Sequence, residues 1–230
     1  MFDNQYFGII LTFAAYEIGK WINSKVKSPV SNPLLIGIIL VVGFLKITGI
    51  SFESYKLGGD FIAFFIAPAT VAMVIDLYES LDVLKKNFVP VMLGIIIGSI
   101  ASMLTVIIVT KFMKFDKQLV TSLVPESITT AIAVSLSEEY KGIAALTAIT
   151  VVIRGVVGAV IAPTITKIFK IKDPVAQGVA IGTSSHAAGT SEARKMGKIQ
   201  GAFSGLSIAV AGLVTVFLMP FMMIIVNQIF

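Results

Sequence analysis

Gly182-Thr183-Ser184-Ser185-His186-Ala187-Ala188-Gly189-Thr190-Ser191 interrupts a run that is otherwise apolar enough to enter a bilayer, and it carries the only histidine of the chain. In hydrocarbon every unpaired donor or acceptor costs free energy, so polar, irregular backbone persists at membrane depth only where it is buried in protein or lines a cavity. Two expectations follow. The helix should break at Gly182 and Gly189, and Thr183, Ser184, Ser185, His186 and Thr190 should contact a solute, with restarting helical amides aimed at an anion.

The rest of the sequence supplies the membrane setting. Hydrophobic residues make up 56% of the 230 positions and charged residues 13%, with a mean hydropathy of +0.94, a balance far from that of a soluble domain. Residues 88–110 and 202–226 contain no charge, and 143–166 contains only Arg154; each is long enough to span a bilayer. Shorter or interrupted apolar elements cover 7–21, 33–45 (with 28–32 able to join it), 61–75, 118–137 and 174–191, giving eight in all. The reading is an all-α polytopic membrane protein forming a single domain over 1–230, with the first element a retained helix because no signal-peptide cleavage pattern is evident. The net charge of +5 sits in short lysine clusters between apolar runs. That pattern suits cytoplasmic loops and argues against nucleic acid as a partner. Without cysteine, disulfides, thiolate metal sites and a cysteine nucleophile are excluded; no metal-ligand cluster, cofactor motif or nucleophile–base pair is recognisable, so neither metal, cofactor nor enzymatic activity is expected.

Proline deletes a helical hydrogen bond and frees carbonyls. Pro68-Ala69-Thr70-Val71-Ala72 recurs in type as Pro125-Glu126-Ser127-Ile128-Thr129, 57 residues later, a weak internal repeat of the kind that builds a midplane site from paired broken helices. Thr70, Ser127, Thr129 and Thr130 are therefore further solute contacts, against the alternative that they bond back to their own helix carbonyls. If all elements crossed, the lysine cluster at 20–27 would lie opposite those at 111–117 and 167–172. A half-crossing of 61–75, broken at Pro68, would put all three on one side.

Three charged or titratable groups stand out. Arg154 lies mid-helix, where a guanidinium is costly unless it faces a cavity or a partner. It is read either as a bidentate carboxylate grip or as an internal ion pair with Glu126 or Asp76. Glu126 and His186 are the proton-coupling candidates, each with a structural alternative: Glu126 as the counter-ion of Arg154, His186 as a hydrogen-bonding group. Gly94 with Gly98, Gly155 with Ala159 and Gly201 with Gly205 are small-residue pairs that permit close helix contact or oligomerisation.

The ordered set Pro125 to Ala133, Gly142-Ile143, Lys172-Asp173-Pro174-Val175-Ala176, Gly182 to Thr190 and Gly201-Ala202-Phe203-Ser204-Gly205-Leu206 closely resembles the LrgB/CidB family of bacterial membrane proteins, over nearly the whole chain. At Glu126 the chain departs from the pattern, which more often has a basic residue there. The resemblance implies a multi-pass protein of the bacterial cytoplasmic membrane, a homo-oligomer that acts with a small LrgA/CidA-type membrane protein. Two functions are implied: transport of a small monocarboxylate of the pyruvate, glycolate, glycerate or lactate class, as in plastid relatives, or holin/antiholin-like modulation of murein hydrolase activity and autolysis. The polar, interrupted helices favour the transporter, because a holin-like oligomer needs only helices that associate.

Overall fold

The computed structural model describes residues 4–26, 31–65, 68, 75 and 78–230. Thr70, Asp76 and the rest of the first proline motif beyond Pro68 lie outside the described residues, as does the proposed break around Pro68. The described elements are all helical, and the chain divides into two compact units, Met1–Ala72 and Met73–Phe230.

The first unit holds α1 (Gln5–Val26), α2 (Pro33–Thr48) and α3 (Phe52–Phe64). The Asn32 side chain accepts from Leu34 N at 2.9 Å with Pro33 at the first helical position, and Gly49 ends α2 in the left-handed conformation at φ 69°. Asn32 is thus a cap outside α2, not an extension of it. With 16 residues, α2 is shorter than a bilayer crossing requires.

The second unit comprises α4 (Leu81–Phe112), α5 (Lys117–Leu123), α6 (Thr130–Glu139), α7 (Ala144–Ile168), α8 (Pro174–Met196) and α9 (Lys198–Ile229). Of these α4, α7 and α9 are long and apolar enough to cross a membrane, and they contain the three uncharged or singly charged runs. Val91, Ile95, Met103 and Ile107 of α4 meet Phe203, Ala211, Met219 and Val226 of α9 in the core, with Val120, Val124, Ile128 and Val151 completing it. Many outward side chains of α4, α7 and α9 are large and apolar, among them Ile97, Ile153 and Phe217; a lipid solvent accounts for that exposure.

The element 118–137, read as interrupted at Pro125, is two short helices joined by a non-helical segment at 124–129, anchored because Val124 and Ile128 are core residues while Pro125 cannot extend the ladder. Behind it Thr147 Oγ1 lies 2.8 Å from both the Ser122 carbonyl and the Ser137 hydroxyl, tying α5, α6 and α7 together. The break in α8 falls on His186, at φ 38° and ψ −138°, whereas Gly182 and Gly189 lie within its helical halves. Gly182 serves packing: a Cβ there would collide with the Ser204 backbone of α9.

That contact is testable. Overpacking a closed interface costs about 1–3 kcal/mol, so Gly182→Ala should lower the thermal midpoint of the detergent-solubilised protein clearly. Gly43→Ala, with nothing within 4 Å of the added methyl, should leave it unchanged or raise it; equal midpoints for the two variants would refute the packing role.

Candidate functional site

Arg154 is positioned by α7, and at about 1.5 Å of rise per residue it sits roughly 15–20 Å from either helix end. So far from either end its close partners are protein groups, and three segments provide them. Nε donates to the Ser184 carbonyl of α8 at 2.9 Å, Nη1 to Glu126 Oε1 at 2.7 Å and Nη2 to Ser102 Oγ of α4 at 2.8 Å. Each has a local reason to be there. Glu126 rides on the turn after α5, where Pro125 stops the helix, and Ser184 lies two residues before the break, where carbonyls lose helical donors.

Arg154 and Glu126 are 24% and 22% exposed, and both line a cavity of about 1170 Å³ between α4 and α8. Three of the five guanidinium N–H groups are engaged; the second N–H of each Nη has no partner among the described residues, nor has Glu126 Oε2. Thr183 and Ser184 line the same cavity, and the Thr183 hydroxyl is buried without a partner.

The remaining predicted contacts do not share that wall. Ser185 faces α7, where a Cβ on Gly158 would strike it. His186 packs on α7 as well: its Nε2 lies 2.8 Å from the Val151 carbonyl, which can only accept, so Nε2 carries the proton. A Cβ on Gly155 would overlap the imidazole, so glycine at 155 and 158 makes room for the break. Positive φ at a residue with a side chain costs on the order of 1–3 kcal/mol; the Val151 bond and the 3.0 Å bond from Thr190 Oγ1 to the His186 carbonyl offset it. Thr190 turns to α9, 2.6 Å from Ser204 Oγ. Ser127 is buried with an unpartnered hydroxyl, and Thr129 and Thr130 begin α6; none of the three lines the cavity. The polar cluster is thus split three ways by the turn of α8.

Ser102 escaped sequence reading, because a lone serine in an uncharged span resembles many that bond to their own helix. Gly158 escaped for a similar reason: the Gly155–Ala159 spacing drew attention one residue too far. Among the described residues no cluster of histidine and carboxylates could hold a metal ion.

With this geometry in view, the LrgB-like family profile matches residues 12–225. The chain belongs to the LrgB family. It is 38% identical over 218 residues to the antiholin-like protein LrgB of Bacillus subtilis (strain 168), covering 94% of each chain. To the protein of the same name from Bacillus cereus (strain B4264) it is 37% identical over 219 residues, 95% of each chain. No solved structure matches. In this LrgB-family chain the ion pair answers one sequence question: Arg154 bonds Glu126, whereas Asp76 lies outside the described residues.

The pair sets a stability test. Removing one member of a largely buried ion pair strands the other, at a cost of several kcal/mol when burial is complete; with about a quarter of each side chain exposed, about 1–3 kcal/mol is expected for Arg154→Gln. Adding Glu126→Gln should recover most of that loss in thermal unfolding, and a double variant no more stable than Arg154→Gln would mean the pair is not coupled.

Proposed function

We propose that this LrgB-family membrane protein is a multi-pass secondary transporter of the bacterial cytoplasmic membrane that moves a small monocarboxylate through the Arg154 cavity. The observation that carries the reading is a mid-helix guanidinium on a cavity wall, already holding a carboxylate, with two N–H groups uncommitted. A cation placed so deep is a default mark of a solute path. A planar fork matches a carboxylate bidentately, and the Glu126 carboxylate occupies one prong as an arriving acid would. Exchange of Glu126 for the solute on Arg154 supplies the transport step, and the neighbouring Ser184 hydroxyl, bonded at rest to the Ile181 carbonyl at 3.3 Å and to Ser185 Oγ at 3.0 Å, turns from them to the second end of a 2-oxo or 2-hydroxy acid. Glu126, at the cavity, is the proposed proton carrier; His186, committed to Val151 and away from the cavity wall, is proposed as the hinge. Pyruvate, lactate, glycolate and glycerate are the acids proposed, with a small LrgA/CidA-type membrane protein and further copies of the chain as partners. No catalytic step is assigned.

A second reading has its own support. The relatives are named antiholin-like, which favours modulation of murein hydrolase activity and autolysis and says nothing of transport.

Uptake of the four labelled acids into proteoliposomes, with and without the small partner, separates the two. Transport predicts saturable uptake of at least one acid, reduced tenfold or more by Arg154→Lys because an ammonium lacks the planar fork. In His186→Gln the pH dependence of uptake should persist. No uptake of any acid, accompanied by dye leakage from the same vesicles, would instead support the antiholin-like reading.

A further inference from the structure

The cavity is out of proportion to a small acid. Clefts that enclose drug-sized ligands run to roughly 300–1000 Å³; this one, about 1170 Å³, is a partly open groove with room to spare. Its walls explain what the surplus is suited to. Along α4, Gly94 and Gly98 let Val179 and Thr183 of α8 approach to contact distance, and beside that contact the exposed methyl groups of Ala101 and Ala180 line the space with apolar surface.

The polar side chains elsewhere on the wall are turned to the protein. Thr105 Oγ1 bonds the Ala101 carbonyl and Thr110 Oγ1 the Val106 carbonyl, both at 2.7 Å. Asn87 Nδ2 bonds the Val83 carbonyl at 2.9 Å, and Asp173 caps α8 through Ala176 N at 2.8 Å. Apart from the exposed Asp173 carboxylate, uncommitted polarity lies on Arg154 and Glu126; the Ser184 hydroxyl bonds the Ile181 carbonyl and Ser185 Oγ, and the Thr183 hydroxyl is buried. A solute that fits has one anionic end and an apolar body.

We infer that the Arg154 cavity is a site for amphiphilic monocarboxylates, the carboxylate on Arg154 and an unbranched alkyl chain lying between α4 and α8. This rests on the carboxylate role of Arg154 proposed above and adds a substrate class to it: acids with alkyl chains bind in preference to hydroxylated acids of few carbons. Each buried methylene transfers from water with a gain that tightens binding about fourfold, so affinity should climb with chain length until the cavity is filled.

The probes are radiolabelled acetate, butyrate, hexanoate and octanoate, binding at equilibrium to the full chain in nanodiscs, with pyruvate and glycerate for comparison and unlabelled octanol as competitor. Affinity should rise by about fourfold per methylene, glycerate should bind more weakly than butyrate, Arg154→Gln should weaken every acid tenfold or more, and octanol should not displace octanoate at equal concentration. Ala101 and Ala180 line the cavity and are solvent-accessible. Ala101→Leu and Ala180→Leu, made separately on different helices, should each cut the preference for octanoate over butyrate by tenfold or more, a ratio that a general folding defect does not change. Constant affinity along the series, with pyruvate still bound through Arg154, would overturn the inference and leave the transport reading standing. Absence of binding by any acid would overturn both. Chain-length-dependent binding that survives Arg154→Gln and is displaced by octanol would mean that a bilayer acyl chain occupies the groove, and the inference would again be wrong.

Discussion

A guanidinium in the middle of an apolar helix has to be satisfied by the protein around it, and the site is organised by that requirement. Insertion of arginine at a helix centre costs about 2.5–3.5 kcal/mol even where water and lipid headgroups can adapt, and Arg154 lies beyond the reach of either helix end. Its partners come from α4, the turn after α5 and the carbonyl before the α8 break. These are three segments distant in sequence. Their convergence on one side chain ties α4, α7 and α8 together, and the cavity opens beside the close contact that Gly94 and Gly98 of α4 make with Val179 and Thr183 of α8.

The second constraint is the break itself. A helix interrupted at a residue with positive φ exposes its polar backbone, and His186 is held by a bond to a carbonyl on α7 that only the absence of side chains at Gly155 and Gly158 makes accessible. On its other side α8 is clamped to α9, through Gly182 against the Ser204 backbone and Thr190 against the Ser204 hydroxyl. The break is thus fixed by packing from both flanks. Its result is local: it places the Ser184 carbonyl toward Arg154 and turns His186 away from the cavity.

Much of this was legible in the residues. Runs without charge mark α4, α7 and α9 because hydrocarbon leaves no alternative to a helix, whereas the helix starts capped by Asn32, Asp116 and Asp173 became evident only from the structure. The isolation of Arg154 in its run pointed to the site, and Glu126 was named as a possible partner. What could not be read was direction. Ten consecutive residues on a helix point all round it, so a polar cluster contiguous in sequence cannot serve one cavity; Thr183 and Ser184 reach it while Ser185, His186 and Thr190 serve packing. Likewise the glycines suggested the break, yet the residue that departs from helical geometry is the one whose side chain has a partner to stabilise the departure. Ser102 became visible only when a donor from another helix was found beside it.

The ion pair also bears on the choice between functions. A buried pair is seldom a gain over well-packed apolar residues, since desolvation consumes most of the Coulombic attraction; helices that merely associate would be as well served by the small and branched side chains already abundant here. Arg154 and Glu126 are instead left partly exposed, on the wall of a cavity, with donor and acceptor capacity left over. That is a poor way to stabilise a bundle. On the transport reading proposed above, such a pair would let one carboxylate replace another, because the resting state satisfies the guanidinium without sealing it, and an incoming acid would displace a tethered side chain without exposing a bare charge to hydrocarbon.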